Sequence, residues 1–256
     1  MNKIEAVATM VVQAKKIVIF TGAGFSTESG VPDFRSPGGV WDTFDPSELN
    51  YQNFMGREDI REEYWRMHRM FWETISTSEP NIGHFAVTEL HTMGKLDCVV
   101  TQNTDGFHQK AGVPDEKVFE LHGTMQWVDC IDCGQRYPRG LAHEKMLAGT
   151  LVPRCDKCNG VLKPATVAFG QSMPLREMQE SEARSSTCDL LIGAGSSMVV
   201  YPAASMPVIA KRNGAKLVLI NLTATPHDSM SDIVINEKTG ETMSAIMALV
   251  KQKLQA

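Results

Sequence analysis

The stretch Lys16–Gly30, KIVIFTGAGFSTESG, decides how this chain folds. Its first half is an apolar, largely β-branched run, which is typical of a strand buried inside a parallel sheet. The run ends in Gly22-Ala23-Gly24, where two glycines allow a tight turn and let the phosphates of a ligand approach the backbone. A turn packed for its own sake is the alternative, because a single glycine-rich turn is a weak signal. The stretch therefore predicts a buried strand that leads into a candidate nucleotide-binding turn.

Three further runs resemble this first strand. They lie at 96–101, 189–193 and 216–221, and each is short, apolar and bounded by polar residues or glycine. Segments with helical spacing separate the runs. Strands that alternate with helices predict an α/β fold with a doubly wound parallel sheet.

Proline and glycine mark the helices between these strands. One helix is predicted between Pro80 and Gly94, another between Pro202 and Gly214, and an amphipathic one over about 242–254. The glycine turn is also expected to lead into a helix, whose N-terminus would stabilise the negative charge of a pyrophosphate.

Two segments break the alternation of strands and helices. Residues 32–78 are rich in aromatic and charged side chains without strand-like runs, and residues 125–162 hold paired cysteines. Both are predicted to be insertions at the carboxyl ends of strands, where doubly wound sheets bind their ligands. We therefore expect the binding cleft between the sheet and these two insertions.

Composition excludes several classes of protein. The 256 residues are 43% hydrophobic and 21% charged, and the net charge of −5 argues against a broad nucleic-acid-binding face. Charged residues interrupt any apolar signal core near the N-terminus. The uncharged stretch 190–210 is long enough to span a bilayer, but its glycines and prolines indicate a strand, a turn and a helix start instead. The sequence therefore predicts a cytoplasmic protein without membrane or nucleic-acid partners.

Four of the six cysteines form two C-x-x-C pairs separated by 21 residues. Such pairs match tetrahedral zinc, and four thiolates leave no open position, so the site should be structural. Two disulfides are the alternative, which the lack of a secretion signal disfavours. Cys98 and Cys188 lie in or beside strand-like runs and are expected in the core. The predicted zinc ligands are Cys130, Cys133, Cys155 and Cys158.

Polar clusters follow the glycine turn and the second strand run. Asp33 and Arg35 flank Phe34; they could be a solvated surface pair, or Arg35 could meet phosphate or ribose while Phe34 covers a planar ring. Asn103 and Asp105 stand at the end of the 96–101 run. They could cap a helix, or they could hold a carboxamide or orient a water molecule.

Two histidines follow these clusters. His108 is expected to be a packed helical residue rather than a catalyst. His122, in Glu120-Leu-His-Gly123, precedes the cysteine insertion and could face the cleft, where a histidine can act as a general base near neutral pH. A lone histidine carries little weight by itself.

Three later segments complete the set of candidates. The extended segment 166–169 could pair with an incoming peptide strand, while Gly195–Ser197 offers glycine and hydroxyl groups to a phosphate or ribose. The strand that ends at Asn221 could contact a ribose. The first two segments also fit an ordinary loop.

Taken in order, these segments closely resemble the sirtuin family. The motifs are GAGFSTESGVPDFRS, TQNTDGFHQKAG, LHG, two CxxC pairs, VAFG, GSSMVVYPAA and LIN, and they extend over 17–221. The resemblance implies an NAD-dependent protein lysine deacetylase or deacylase that acts on an acyl-lysine protein or peptide. Its products would be nicotinamide, free lysine and 2′-O-acyl-ADP-ribose. Mono-ADP-ribosyl transfer or NAD hydrolysis on the same scaffold is the alternative, and a non-catalytic binding module is a third class.

The resemblance also implies a division of the chain. A Rossmann-like NAD-binding domain would comprise 1–32, 81–124 and 163–256, with a helical module at 33–80 and a structural zinc module at 125–162.

Residue roles follow from matching positions. His122 would be the base, acting through the ribose hydroxyls, Asn103 would position ribose or water, and Asp105 would bind the nicotinamide carboxamide. His122, Phe34, Val167 and Phe169 would line the lysine tunnel. The implied NAD contacts are Gly22, Ala23, Gly24, Thr27, Phe34, Arg35, Gln102, Asn103, Thr104, Asp105, His122, Gly195, Ser196, Ser197 and Asn221.

Three residues depart from the family pattern: Phe25 is bulkier than the usual Ile or Val, Thr104 replaces Ile or Val, and Gln171 replaces Glu. None of the three removes a catalytic group.

The acyl pocket is predicted from the same resemblance. Sirtuins that prefer acidic acyl groups carry Tyr and Arg three residues apart in the helical module. The equivalents here are His68 and Phe71, which predict an apolar pocket end and neutral acyl substrates. An alignment shifted by a few residues would instead bring Arg66 or Arg69 to the pocket.

Overall fold

Six parallel strands form the central sheet of the structure, a computed structural model that describes residues 2–255. A second sheet has three antiparallel strands. In chain order the strands are β1 (Ile17–Thr21), β2 (Leu96–Thr101), β3 (Val118–Glu120), β4 (Gly123–Cys130), β5 (Arg136–Pro138), β6 (Leu162–Thr166), β7 (Leu190–Ala194), β8 (Lys216–Ile220) and β9 (Ile233–Ile235).

The order of strands in the large sheet is β3-β2-β1-β7-β8-β9, so the chain leaves β1 in one direction and later returns to its other side. Residue Thr21 at the end of β1 pairs with Thr101 of β2 and with Ala194 of β7. The order therefore reverses at β1, and a cleft at such a switch point is where doubly wound sheets bind ligands.

Helices cover the sheet and build one of the insertions. They are α1 (Lys3–Gln13), α2 (Tyr51–Gly56), α3 (Glu58–Ile75), α4 (Ile82–Thr92), α5 (Phe107–Lys110), α6 (Arg139–Leu147), α7 (Leu175–Thr187), α8 (Ser205–Arg212) and α9 (Thr239–Gln255).

Two apolar layers enclose the large sheet because side chains of a strand alternate between its faces. Ile17 and Ile19 of β1 pack with residues of α1, α4 and α9, whereas Val18 and Phe20 pack on the other side with residues of α8. All four side chains are fully buried. A sheet covered on both faces explains why the strand runs are continuously apolar. The predicted doubly wound α/β fold is confirmed.

The predicted strands agree with β1, β2, β7 and β8 to within one residue at each end. Two strands of the large sheet were missed, β3 and β9, which are three residues long and lie at its two edges. Edge strands this short leave too little sequence for a periodic pattern to emerge.

The helix predictions are right in position and differ at their ends. Asn81 caps α4 by accepting from the backbone N–H groups of Gly83 and His84, while the His84 side chain accepts from the Asn81 N–H. The helix expected from Pro202 begins at Ser205, and the last helix begins at Thr239.

The two insertions lie where they were expected in the chain. Residues 33–80 contain α2 and α3, and the cysteine segment contributes α6 and the three-stranded sheet β5-β4-β6. That small sheet begins at Gly123 and ends at Thr166, so it extends beyond the predicted module 125–162 on both sides. The domain boundaries themselves stay a prediction.

Within residues 2–255, none of the helices combines the length and the apolar character needed to cross a bilayer. The uncharged stretch 190–210 forms β7, a loop and the start of α8, as its glycines and prolines predicted.

Candidate active site

One deep cleft with a volume of about 630 Å³ lies between the large sheet and the two insertions. The carboxyl ends of β1, β2, β7 and β8 all open into it, because parallel strands end at the same edge of a sheet. Most of the predicted site residues meet here. Those that line the cleft are Gly22, Ala23, Gly24, Phe34, Arg35, Gln102, Asn103, Thr104, Asp105, His122, Val167, Phe169, Gly195, Ser196, Ser197 and Asn221.

Thr27 is the one predicted contact that does not line the cleft. Its side chain is exposed, and its hydroxyl donates to the backbone carbonyl of Gly24 at 3.0 Å. In this structure it supports the glycine turn, and its role as a contact stays a prediction.

The glycine turn packs directly against the loop that follows β7. The Gly24 N–H donates to the Gly195 carbonyl at 2.9 Å, and the Gly22 N–H donates to Ala194 at 3.2 Å. A Cβ atom at Gly22 would lie 2.8 Å from the Gly195 carbonyl oxygen, and Gly195 has a φ of +65°. Glycine is required because two backbones meet here, so this approach is one reason for the motif.

The expected helix after the glycine turn is wrong. Two three-residue 3₁₀ turns follow instead, Ala23–Phe25 and Thr27–Ser29. Phe25 explains the break, because its fully buried ring stacks on His108 at 5.4 Å and meets His84 edge-on at 4.8 Å. The bulky residue that departs from the family pattern therefore fills the core beneath the turn. The turn residues Gly22, Ala23, Gly24 and Ser26 line the cleft without a long helix behind them.

A second hydrogen bond joins the walls of the cleft above the sheet. The Gln102 side-chain amide donates to the Ser196 hydroxyl at 2.8 Å, which connects the end of β2 with the loop after β7. Asn221 lies one residue beyond β8, and its amide donates to the Thr223 carbonyl at 2.8 Å. Gln102, Ser196 and Asn221, which follow three different strands, all line the cleft.

A buried polar group lies at the centre of the cleft. The Ser26 hydroxyl donates to the Asp105 carboxylate at 2.7 Å, and the Asn103 amide donates to Ser26 at 3.1 Å. Asp105 also accepts from the Phe107 N–H at 2.9 Å. Burial raises the pKa of Asp105, although these hydrogen bonds act in the opposite direction. Ser26 was not predicted as a site residue; a hydroxyl four residues after the first glycine of the turn was the available signal.

His122 is held in one tautomer and one orientation. Its Nδ1 lies 3.1 Å from the backbone carbonyl oxygen of Gln102. A carbonyl only accepts, so Nδ1 carries the proton and Nε2 is left as the basic nitrogen. Burial lowers the pKa of His122, and the hydrogen bond to Gln102 opposes this only in part. The imidazole is therefore neutral at physiological pH, as a general base must be.

His108 is a packed residue, as predicted. It is buried beneath the glycine turn, with its Nε2 3.0 Å from the hydroxyl of Thr21.

Aromatic side chains cover the opening beside His122. Phe34 packs against Trp41 and Phe71 at ring-centroid distances of 5.0 and 5.4 Å. Phe169 lies 6.2 Å from Trp41 and remains 45% exposed at the rim. Trp41 was not singled out from the sequence, where it is one of several aromatic residues in the insertion.

The segment 166–169 is anchored at each end. The Val167 N–H donates to the His122 carbonyl at 2.8 Å, and the Phe169 carbonyl accepts from the Tyr51 N–H at 2.8 Å. Gln171, which departs from the family pattern, accepts from the Ala168 N–H at 3.1 Å. Pairing of this segment with a peptide strand stays a prediction.

The inner end of the cleft is only partly apolar. Phe71 lines it, as expected, and so does His68. However, the His68 Nε2 lies 3.0 Å from the hydroxyl of Thr166, which lies 3.2 Å from the hydroxyl of Tyr64. The prediction of a wholly apolar end is wrong, because β6 brings Thr166 to face α3, and sequence spacing cannot reveal that contact.

Neither of the two arginines of α3 reaches the cleft. Arg66 pairs with Glu63 at 2.5 Å, and Arg69 pairs with Glu73 at 2.7 Å. Both arginines are more than 40% exposed. The structure therefore brings His68 and Phe71 to the cleft rather than Arg66 or Arg69, and their role as the end of the acyl pocket stays a prediction.

The four paired cysteines converge outside the cleft, in the cysteine insertion. Their sulfur atoms all lie within 4.8 Å of one another, with Cys130–Cys158 and Cys133–Cys155 distances of 3.6 and 3.7 Å. Tetrahedral zinc with bonds of about 2.3 Å separates its ligands by about 3.8 Å, whereas a disulfide needs about 2.05 Å. The cysteines are free thiols, so the disulfide alternative is wrong and the quartet fits a structural zinc ion. Cys98 and Cys188 are buried in the core, as predicted.

Comparison with known proteins identifies the family. The Sir2 family model matches residues 22–202. The chain belongs to the Sir2 family. Among its relatives, NAD-dependent protein deacetylase 1 of Bradyrhizobium diazoefficiens is 43% identical over 94% of this chain and 93% of its own length. NAD-dependent protein deacylase 2 of Archaeoglobus fulgidus is 38% identical over 98% and 97%.

Solved Sir2 structures share the whole architecture. One of them holds a deacetylated p53 peptide and 3′-O-acetyl ADP-ribose; it is 34% identical, covers 96% of this chain and 98% of its own, and has a TM-score of 0.90. The resemblance drawn from seven ordered motifs is therefore confirmed.

Proposed function

We propose that this Sir2 protein removes acyl groups from the lysine side chains of proteins or peptides in a reaction that consumes NAD. The names of its relatives, NAD-dependent protein deacetylase and deacylase, support this activity. The observation that carries the proposal is the basic Nε2 of His122, which lies in the cleft formed by the glycine turn on one side and Phe34, Val167 and Phe169 on the other. A base between a nucleotide pocket and an apolar channel is what acyl transfer from lysine to ribose needs.

The bond changes of this reaction balance with three reactants: NAD, the acyl-lysine and one molecule of water. The acyl oxygen forms a bond to C1′ of the nicotinamide ribose, the glycosidic bond breaks, and nicotinamide departs with the bonding electrons. His122 accepts a proton from the ribose hydroxyls, so that the 2′ oxygen can attack the acyl carbon. Water then releases the lysine amine, and 2′-O-acyl-ADP-ribose is formed.

The buried group Ser26-Asn103-Asp105 supports the departure of nicotinamide. Asn103 lies 8% exposed, and its side-chain oxygen remains available to a ribose hydroxyl or a water molecule, since its amide nitrogen is taken by Ser26. Asp105 accepts from Ser26 and from the Phe107 backbone, which orients the carboxylate toward a carboxamide N–H. These roles of Asn103 and Asp105 are part of the proposal.

Exclusion of water is assigned to the aromatic residues. Cleavage of the glycosidic bond leaves positive charge on the ribose, which water would capture if the site were open. Phe34, packed between Trp41 and Phe71, covers the predicted nicotinamide side of the cleft, and Phe169 covers the rim.

Zinc would be held by Cys130, Cys133, Cys155 and Cys158, and it would supply structure rather than chemistry. Four thiolates complete its coordination, and the quartet does not line the cleft. A cytoplasmic location is also proposed; it rests on the use of cysteine for metal rather than disulfides.

The test is incubation of the zinc-loaded protein with NAD and an acetyl-lysine peptide, followed by mass spectrometry of the products. We expect equal amounts of nicotinamide, free-lysine peptide and O-acetyl-ADP-ribose. ADP-ribosylated peptide would indicate mono-ADP-ribosyl transfer, and ADP-ribose formed without peptide would indicate NAD hydrolysis. Either of these as the main product would overturn the proposal.

A further inference from the structure

We call the part of the cleft beside Phe34, Val167 and Phe169 the acyl channel. Three polar side chains close its inner end. Tyr64 and His68 lie one turn apart on α3, and Thr166 is the last residue of β6. They are 2%, 5% and 7% exposed, and all three line the cleft. We call Tyr64, His68 and Thr166 the polar floor.

The hydrogen bonds of the polar floor run in one direction. The Nδ1 of His68 lies 2.8 Å from the Tyr64 backbone carbonyl, which only accepts, so Nδ1 carries the proton. Burial lowers the pKa of His68 to about 3, with smaller effects from two nearby cations, so the ring is neutral and Nε2 is an acceptor. Thr166 must therefore donate its hydroxyl proton to His68, and Tyr64 must donate to Thr166.

This direction decides what the polar floor can still bind. Every hydroxyl proton of the floor is already used, because Thr166 donates to His68 and Tyr64 donates to Thr166. The remaining capacity is the free lone pairs on the Tyr64 and Thr166 hydroxyl oxygens. A group on the acyl chain that donates a hydrogen bond finds an acceptor there. A carboxylate, which only accepts, would face lone pairs.

Two cations lie behind the polar floor and not in the channel. Lys163 is 4% exposed; its ammonium group donates to the backbone carbonyls of Pro164 and Thr166 and lies 5.3 Å from the Tyr64 ring centre. The fully buried Arg139 lies over the rings of Trp65 and Trp72, and donates to the His68 carbonyl. Neither cation lines the cleft, so neither is placed to pair with an acyl carboxylate.

We propose that the polar floor selects acyl-lysines whose chain carries a hydroxyl group, such as β-hydroxybutyryl-lysine, over the unsubstituted chain and over the acidic one. Tyr64 and Thr166 accept the hydroxyl proton, and Phe71 and Met67 contact the carbon chain. This inference rests on the proposed deacylase function, since it concerns the substrate of the same cleft.

The experiment compares kcat/KM for one peptide carrying acetyl, butyryl, β-hydroxybutyryl or succinyl groups. Butyryl and β-hydroxybutyryl share a carbon skeleton, so their ratio isolates the hydroxyl group. We expect β-hydroxybutyryl to exceed butyryl by about 5- to 10-fold, which is the effect of one net hydrogen bond. Succinyl should be the poorest of the three longer chains. A ratio of one or less, or a preference for succinyl, would overturn the inference.

Variants separate recognition from general damage to the channel. Thr166→Val removes one of the two acceptor oxygens at nearly constant volume and should lower the ratio, whereas Thr166→Ser keeps the oxygen and should keep the preference. Thr150→Val is the matched control, because Thr150 is exposed in the cysteine insertion and does not line the channel. A Thr166→Val protein that retains the wild-type ratio would also overturn the inference.

The acetyl peptide distinguishes the two levels of failure. If the wild-type protein fails to deacetylate it with NAD, the proposed function itself is wrong. If acetyl is removed and the β-hydroxybutyryl preference is absent, only the assignment of the polar floor is wrong.

Discussion

The Nδ1 atom of His122 and the backbone carbonyl oxygen of Gln102 lie 3.1 Å apart, and this contact decides which nitrogen of the imidazole is basic. Gln102 follows β2 directly, so the large sheet itself orients a histidine that lies at the start of the small sheet. Burial lowers the pKa of His122. The proposed base is therefore neutral and oriented before substrate binds.

Replacement of this base is the first prediction. His122→Ala should reduce kcat for acetyl-lysine removal by about 10²- to 10⁴-fold, the usual contribution of a general base. NAD affinity should change little, because the role proposed for the histidine is to accept a proton from the ribose hydroxyls during the reaction. Steady-state kinetics and isothermal titration with NAD measure the two effects separately.

The same residue sets the acid limb of the pH profile. Since the pKa of His122 lies below its ordinary value of 6.5, kcat/KM should stay constant down to about pH 6.5 and decline below it. His91→Ala, on α4 outside the cleft, is the control and should keep wild-type kinetics. Near-wild-type turnover by His122→Ala would end the assignment of the base.

Zinc loading is the second prediction. Cys130→Ser should reduce bound zinc from one ion per chain to well below one, unfold the cysteine insertion and remove activity indirectly. Atomic absorption of the purified protein and a thermal melt report the two effects. Cys188→Ala, which removes a buried thiol outside the quartet, should retain zinc. A fully folded, active protein without metal would refute a structural role.

The third prediction concerns the contact between the glycine turn and the loop after β7. Gly195→Ala should destabilise the protein by about 3 kcal/mol, because its Cβ would overlap the backbone of Phe25 and its φ is +65°. It should also weaken NAD binding, since both backbones line the cleft.

A matched glycine supplies the control for this change. A Cβ at Gly56, in α2, has no heavy atom within 4 Å, so Gly56→Ala should be neutral or slightly stabilising. Urea unfolding compares the two variants. Equal unfolding midpoints would show that the turn tolerates a side chain at Gly195.

Acid sensitivity is the fourth prediction, and buried histidines are its cause. Burial lowers the pKa values of His68 and His108 to about 3 and that of His84 to about 2. An unfolded histidine gains a proton near pH 6.5, whereas these buried histidines gain one only near pH 3 or below. The stability that they contribute is therefore fully present above pH 6.5 and is lost as the pH falls toward 3. Burial raises the pKa of Glu120 to about 7, so between pH 6.5 and 4.5 the folded protein holds a proton that the unfolded chain has lost. This proton offsets one of the three that the histidines take up on unfolding.

Each buried histidine that stays neutral in the folded protein corresponds to up to about 1.4 kcal/mol lost per pH unit below 6.5. Burial also lowers the pKa of His122, which adds to the loss, and raises the pKa of Asp105, which opposes it. Urea unfolding at pH 7.5, 6.0 and 5.0 measures this slope. His108→Asn, which removes one of the titrating groups, should reduce this slope by up to about 1.4 kcal/mol per pH unit, while His91→Asn serves as the control. A free energy of unfolding that stays constant from pH 7.5 to 5.0 would contradict the prediction.

Much of the architecture could be read from local patterns. The four long strands of the large sheet are continuous apolar runs because both faces of the sheet are covered, and Asn81 and Gly94 delimit α4 by capping and termination. The short edge strands β3 and β9 carry no periodic signal. The helix predicted after Gly24 does not form, because Phe25 turns into the core and packs against His84 and His108.

The candidate site divides in the same way. By itself the sequence determined which chemical groups the site contains. The ordered motifs, the four thiols of the quartet and His122 could each be identified, since each belongs to a short segment with its own spacing. Only the tertiary structure decided which groups share a proton. Thr166 meets His68 across 98 residues, and the Gln102 carbonyl orients His122 across 20. Hydrogen bonds of this kind depend on distances of about 3 Å between separate elements, which are set by how the sheets and helices pack and by no local pattern.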